Sequence, residues 1–588
     1  MAICCNFTVC SYVQIVSFFT GRCNAKILKR LQSTSTYERW MFASVAIATL
    51  LRCVLIYFHW PFTNSDEGIM GLLALHVAYQ GDHPMFYYGQ SYLGPVEGYA
   101  AAPLFRLFGP SLFALRLPLV LFFIGFLVSM FYLIRLLYSE KFALASVILL
   151  GLGSPDVLFL QLRAIGAYPE IGMLAALMCL LAAWLALSSQ RPDQERWKRI
   201  VIYGLLGLIV GLALWVDLLI LPFVAAVGVL LWFCCRRELL RWTGLSLLLG
   251  FAVGAFPLIY HNLTAPVVQN SLFVLVSIHH GGAADMLAQH LTWVNQLTGT
   301  VLVALPLATG GSLHCPLSAI PPSGSPALAT LPCVLFQGSW GVGYLILWFM
   351  AVCLAVYAVR RYRRHLHAGM TQSTSLEERQ EAIRQGGRLM LLASVGLTLL
   401  LYAIAPSSAT SPENAFRYLI CLLLAIPALL WPIWQGLSVQ RISLNWRAKA
   451  GLLLRGGLLL LVAATFASGT VRTLMQIPTA QAVYQYQETL VQDLLRVGAT
   501  RVYSDYWTCN TLTFLSQEKI VCSVLDEHLN PGYDRYLPYR FIVRAAPRPT
   551  YVFPPGTQQA EAMKQRVRLA SSLYRAYIFE GYLVYQVT

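Results

Sequence analysis

The stretch Pro61-Phe62-Thr63-Asn64-Ser65-Asp66-Glu67-Gly68-Ile69-Met70 follows directly on an apolar run at 41–60, and its two adjacent acids decide how the chain is read. A run of that length can cross the roughly 30 Å hydrocarbon core of a bilayer as a helix. Two carboxylates at its exit are costly unless they are solvated, paired or used. They open a loop, 61–111, crowded with aromatic, Gly and Pro residues, so something polar is expected to be handled there. Beyond this point the chain stays apolar. Of its 588 residues 57% are hydrophobic and 12% charged, where a soluble domain averages about 25% charged. Hydrophobic stretches recur at 41–60, 112–134, 142–160, 170–188, 201–217, 218–234, 242–260, 340–359, 389–406, 418–435 and 451–470. The pattern predicts an α-helical polytopic membrane protein with about eleven transmembrane helices.

Charge sets the expected orientation. Twenty-five Lys and Arg fall on one set of loops, against four (Arg106, Arg116, Arg163 and Arg417) on the alternate set. The positive-inside bias places the N-terminus in the cytoplasm and the C-terminus outside, in a multi-pass protein of the cell membrane. Much of the net charge of +16 then faces anionic lipid and is not a nucleic-acid surface. The reading gives a cytoplasmic N-terminal segment 1–40, a transmembrane domain 41–470 with outer loops 61–111 and 261–340, and a small extracytoplasmic α/β domain 471–588. The first twenty residues are apolar without a charged leader or cleavage site, so they are not read as a signal peptide. Residues 298–309 are too short for a span and are expected to form a re-entrant or interfacial helix. In the C-terminal part, 480–497 reads as an amphipathic helix, Arg501–Asp505 and Lys519–Leu525 as strands around a helix at 508–517, and Thr550–Phe553 and Tyr577–Tyr585 as later strands.

The fourteen cysteines show no metal-ligand spacing of the C-x-x-C kind. Two pairs, Cys315 with Cys333 and Cys509 with Cys522, fall on the outer side, where an oxidising exterior permits disulfides.

Charges that the cytoplasmic loops do not explain gather at one face. They are Asp66, Glu67, Asp82, His83 and Glu97 in the first loop, Asp156, Arg163 and Glu170 around the turn between spans three and four, Asp217, His261 and Arg417. Each has a bland reading beside the functional one. Asp156 follows Ser154-Pro155 and can simply cap a helix, Asp217 can face water at a helix end, and His83 before Pro84 suits loop structure. Arg163 and Arg417 stand on a face that otherwise excludes basic residues and suit anion binding. Carboxylates can remove a proton from a hydroxyl, and guanidinium groups bind phosphate through paired N–H donors. Proton relay or ion coordination would instead favour acids near the bilayer midplane.

Asp66-Glu67 after span one, then Gly94-Pro-Val-Glu-Gly-Tyr-Ala-Ala-Ala-Pro-Leu-Phe-Arg-Leu-Phe-Gly109, then Pro110-Ser-Leu-Phe-Ala-Leu-Arg-Leu-Pro118, and later Ala415-Phe-Arg417-Tyr-Leu419, together resemble the polytopic GT-C glycosyltransferases. The branch most similar is that of the protein O-mannosyltransferases and aminoarabinose transferases among dolichyl-phosphate-mannose-type enzymes. The resemblance is strongest over 50–120 and does not extend as motif into the C-terminal domain. It implies inverting transfer of a sugar from a polyprenyl-phosphate donor to a lipid, glycan or protein acceptor at the outer face. It implies an acid of the first outer loop as catalytic base, here Asp66 with Glu67 beside it, and Arg417 on the donor phosphate. Arg163 joins Arg417 on position alone, and Glu97, His83, His261, Glu170 and Asp156 are the remaining substrate-binding candidates. The chain has His83-Pro84-Met85 and Gly94-Pro95-Val96-Glu97 where mannosyltransferases carry His-Pro-Pro-Leu, which leaves the acceptor class open. Related branches need no bound metal; Mg²⁺ or Mn²⁺ could sit on the acids, but no ligand spacing demands it. A lipid-linked-sugar flippase that breaks no bond, and a non-catalytic envelope scaffold, remain alternatives.

Overall fold

The computed structural model describes residues 36–189, 196–271, 273–274, 292–312, 331–367, 372–438 and 446–588; the leader 1–35, Cys315 and the Pro/Ser/Gly run near 317–326 lie outside them. Among the described residues nine helices are long and apolar enough to cross a membrane, or eleven if each of two bent pairs is one span. The protein is therefore a multi-pass helical membrane protein with a small C-terminal sheet domain.

The helices that position the site come first in the chain. They are α1 (Thr36–Tyr57), α2 (Ser65–Leu75), α3 (Val96–Phe108), α4 (Leu112–Leu137), α5 (Glu140–Gly151), α6 (Pro155–Leu162), α7 (Tyr168–Ser188), α8 (Arg196–Val216), α9 (Leu221–Leu239), α10 (Trp242–Gly254) and α11 (Phe256–Thr264). The stretch 142–160, expected as one straight span, is two helices, α5 and α6, meeting at 85°. Pro155 has no N–H to continue the helix, and Ser154 turns extended and caps α6 by accepting the Val157 N–H. A second bend of 63° separates α10 from α11.

Packing within the bundle follows membrane rules. Helices α8 and α10 meet through small residues: a Cβ on Gly207 would stand 2.0 Å from the Leu247 carbonyl oxygen, and one on Gly250 2.0 Å from that of Gly204. On the opposite side of α10, Leu248, Leu249 and Val253 are 61%, 61% and 68% exposed, a surface that suits acyl chains. Arg52, inside α1, is fully buried; Nη1 donates to the carbonyls of Ala48 and Gly151 and Nη2 to Gln161, Phe123 lies against the guanidinium, and Nε has no acceptor among the described residues. The helical run from Trp293 to Thr309 is buried over Leu305–Thr309.

The last membrane helix, α12 (Trp446–Met475), passes almost without interruption into α13 (Ile477–Arg496), so that Lys449–Arg496 forms one helical run of 48 residues. The composition change near 471 thus falls inside a helix. Beyond it lie β1 (Arg501–Ser504), α14 (Tyr506–Leu515), β2 (Val521–Val524), α15 (Pro538–Arg544), β3 (Thr550–Phe553), α16 (Gln558–Leu569), β4 (Tyr574–Phe579) and β5 (Tyr582–Val587). The sheet order is β2-β1-β3-β5-β4, with β1 parallel to β2 and β3, and β5 antiparallel to β3 and β4. Tyr577–Tyr585, expected as one strand, is a hairpin, because Glu580 and Gly581 both take positive φ (46° and 73°) in a two-residue turn. Cys509 on α14 and Cys522 on β2 form a disulfide.

This domain docks onto the first loop through α14 against α2. A Cβ at Gly68 would stand 2.7 Å from the Asn510 backbone, and one at Gly71 2.4 Å from the Phe514 ring. Asn510 donates to the Ser65 hydroxyl at 2.8 Å. Behind this contact Phe514 stacks on Phe105 of α3 at 6.1 Å. Because backbone cannot yield as a side chain can, Gly68→Ala is expected to cost about 1–3 kcal/mol through overpacking. It should loosen the domain, read as faster limited proteolysis of the C-terminal part.

Candidate active site

Asn64 caps α2 by accepting the Glu67 N–H at 3.0 Å, which sets Asp66 and Glu67 in the first helical turn, where the helix dipole favours carboxylates. Adjacent residues on a helix point about 100° apart, and the two acids diverge. Glu67 turns inward and is fully buried. It takes Arg116 Nε on Oε1 at 2.8 Å and Nη2 on Oε2 at 2.6 Å, plus the Ala164 N–H at 3.1 Å. Burial pushes its carboxyl up, but the Arg116 guanidinium, Arg163 and the Ala164 N–H together outweigh it and hold it below the usual range. A carboxylate so enclosed has no opening to a substrate; Glu67 is a structural anchor, contrary to the expectation that both acids serve chemistry.

Asp66 faces the C-terminal domain. Its Oδ1 accepts from Tyr506 Oη at 2.6 Å and from Arg535 Nη2 at 2.8 Å, and its side chain keeps 16% exposure. Its backbone carbonyl accepts the Tyr87 hydroxyl at 2.5 Å. Oδ2 takes no hydrogen bond from the described residues, so one oxygen of the carboxylate is left for another partner.

Basic residues surround this acid. Arg163 ends α6, donates to the Phe62 carbonyl and lies 3.9 Å over the Phe159 ring. Burial lowers its pKa to about 10, with Glu67 and Asp66 opposing that shift. Arg417 opens the 3-10 segment Phe416–Ala425 and reaches Tyr418 Oη at 3.5 Å. Asp66 is close enough to act electrostatically on both Arg163 and Arg417. Arg116 Nη1, Arg163 Nε and Arg417 Nε are buried N–H donors without an acceptor. Each such donor costs about 1–3 kcal/mol unless an anion or water meets it.

The other sequence-expected residues divide by position. Glu97 and Glu170 are brought together, both buried beneath the 163–168 turn, whose Gly166 N–H reaches Glu97 Oε2 at 3.0 Å. Burial, then the facing Glu170, pushes Glu97 well above the usual carboxyl range. Asp217 caps the turn before α9 through the Leu219 N–H at 2.9 Å, and burial lifts it to about 6 against the pull of Arg417. Asp156 pairs with Ser312. His83 is exposed and outside the cluster. His261 is set apart from it, holding the Gln269 carbonyl at 3.1 Å and the Phe86 ring at 4.7 Å. Among the described residues no group of three or more His, Cys, Asp or Glu side chains could hold a metal ion.

Three residues that sequence reasoning passed over complete the cluster: Arg116, Tyr506 and Arg535. Arg116 was visible as one of four basic residues on its set of loops. Tyr506 and Arg535 lie 440 and 469 positions from Asp66, and nothing local marks them.

No protein-family model and no curated protein sequence matches the chain. Solved structures do. ArnT from Cupriavidus metallidurans bound to undecaprenyl phosphate aligns at 14% identity over 93% of this chain and 98% of its own, with a TM-score of 0.51. The apo form of the same protein gives 14%, 94%, 98% and 0.53. An Archaeoglobus fulgidus oligosaccharyltransferase tethered with an acceptor peptide gives 13%, 93%, 74% and 0.49. Over more than nine-tenths of its length this chain has the fold of ArnT.

Proposed function

We propose that the protein is an inverting glycosyltransferase that moves a sugar from a polyprenyl-phosphate donor to a hydroxyl-bearing acceptor at the outer face of the membrane. The observation that carries this reading is one part-exposed carboxylate, Asp66, beside buried guanidinium donors on Arg163 and Arg417 that lack acceptors. The acceptor hydroxyl attacks the anomeric carbon, the bond from that carbon to the phosphate oxygen breaks, and Asp66 takes the hydroxyl proton. Charge grows on the departing polyprenyl phosphate, where Arg163 and Arg417 would stabilise it more in the transition state than in the bound donor. The ArnT structure of the same fold, bound to undecaprenyl phosphate, supports a prenyl-phosphate donor. The positive-inside bias and the Cys509–Cys522 disulfide support a C-terminal domain in an oxidising compartment outside the membrane.

Arg417→Ala is expected to raise the donor KM and to lower kcat/KM about 10- to 100-fold, the loss of one charge-assisted phosphate contact. Unchanged donor kinetics would remove Arg417 from the site. The decisive assay presents purified protein in nanodiscs with a panel of radiolabelled polyprenyl-phosphate sugars and follows release of polyprenyl phosphate. Release identifies bond cleavage. Movement of intact donor between leaflets without release would make the protein a flippase.

A further inference from the structure

Arg535 differs from every other arginine near Asp66. Arg116, Arg163 and Arg417 each keep a buried N–H donor without an acceptor. All three nitrogens of Arg535 are engaged by protein: Nη2 on Asp66 Oδ1 at 2.8 Å, Nε on Tyr506 Oη at 2.5 Å, and Nη1 facing the Tyr88 carbonyl at 3.5 Å. Its guanidinium sits among the rings of Tyr87, Tyr506 and Tyr533, 5.0, 5.8 and 6.0 Å from their centroids, with 8% of the side chain exposed. Each of its nitrogens thus already has a protein partner, with three of the five N–H donors spent. Arg535 and Tyr506 both deliver their hydrogens to the same oxygen of Asp66, which fixes the carboxylate plane and leaves Oδ2 as the open atom.

The segment bearing Arg535 is itself held from behind. Asp534 accepts from the Val524 N–H at 2.7 Å, the Ser523 hydroxyl at 3.1 Å and Arg540 Nε at 2.8 Å. The Gly532 N–H meets the Val524 carbonyl at 2.8 Å, and Tyr533 Oη reaches across to the Gly89 carbonyl at 2.6 Å. The short side chain of Asp66 is therefore aimed by a loop pinned to β2 of the C-terminal domain, while its backbone belongs to α2 of the membrane domain.

We infer that Arg535, with Tyr506, is a positioning residue for Asp66, so that the site is complete only while the C-terminal domain is docked. The inference rests on Asp66 being the base. A supporting group tied at 2.8 Å preorganises the acid that touches the substrate; when such a support is lost, a misplacement near 1 Å can lower the rate about a hundredfold.

The test compares wild type with Arg535→Gln, Arg535→Lys, Asp66→Asn and the double variant Asp66→Asn/Arg535→Gln in the polyprenyl-phosphate release assay. Arg535→Gln is expected to lower kcat about a hundredfold with donor KM unchanged, Arg535→Lys to recover part of that loss, and Arg535→Gln to add nothing in the Asp66→Asn background. A disulfide engineered across the α2–α14 contact by Ser65→Cys and Asn510→Cys, formed equally in wild type and Arg535→Gln, would show the domain still docked, so the loss is not one of folding. Full kcat in Arg535→Gln beside an inactive Asp66→Asn would overturn the positioning role alone. An active Asp66→Asn would overturn the base assignment itself. A raised donor KM in Arg535→Gln with kcat intact would make Arg535 a donor-binding group and also overturn the inference.

Discussion

Asp66→Asn is expected to lower transfer by about 10²- to 10⁴-fold, the range a general base contributes, with expression retained and a smaller loss of thermal stability than a fully enclosed ion pair would show. The amide is the same size as the carboxylate, and its carbonyl oxygen can still accept from Tyr506 and Arg535, the contacts that Oδ1 makes now at 2.6 and 2.8 Å. What it lacks is an oxygen able to take a proton, because the atom at the Oδ2 position becomes an NH₂ donor. The variant therefore separates chemistry from architecture at one site. Release of labelled polyprenyl phosphate measured beside the melting profile in detergent would settle it: retained release removes Asp66 from its proposed role.

Glu67→Gln, one residue away, is expected to behave in the opposite way. Arg116 and Glu67 are both fully buried and bind each other through two hydrogen bonds. Removing one partner of such a pair strands a charge in a low-dielectric interior and costs about 3–5 kcal/mol. Glu67→Gln should thus appear as a lower melting temperature and a weaker yield of folded protein, and Glu67→Gln/Arg116→Met should recover part of the loss, since an uncharged pair strands nothing. A melting temperature equal to wild type for Glu67→Gln would show that the pair does not anchor α2 to α4. The sign with pH follows from the depressed Glu67 carboxyl. Its contribution is present above the ordinary glutamate range and is lost only as pH falls through the lowered folded value.

The contrast between these neighbours shows what was legible in the sequence. Asp66-Glu67 after an apolar run marks a costly pair of acids, and the helix that bears them begins at Ser65. Which of the two is enclosed depends on where α4 puts Arg116, and that is a matter of packing. The membrane spans could be read because twenty apolar residues in a row have few other fates. The right-angle turn between α5 and α6 could be read only as a cap at Ser154-Pro155; its 85° depends on neighbours. Arg163 and Arg417 were found because basic residues are rare on their set of loops. Arg535 lies in a basic, soluble-looking stretch where an arginine needs no explanation, and only the docked domain shows its partner.

The nearly continuous helical run Lys449–Arg496, broken for one residue at Gln476, has a geometric consequence. At 1.5 Å per residue it is a rod of about 70 Å, more than twice the thickness of a hydrocarbon core. Trp60 grips it at Gln476, 3.0 Å away, near its midpoint. A flexible tether would let the C-terminal domain find its seat from any direction; a rod dictates the azimuth at which it arrives. Lengthening the rod by one residue near 476 would swing the domain by about 100° and lift it by about 1.5 Å, carrying Arg535 away from Asp66. Lengthening it by seven would nearly restore the heading but raise the domain by about 10 Å. The angular phase of one helix, fixed by a residue count, thus decides whether two halves of a polar cluster 469 residues apart face each other at all.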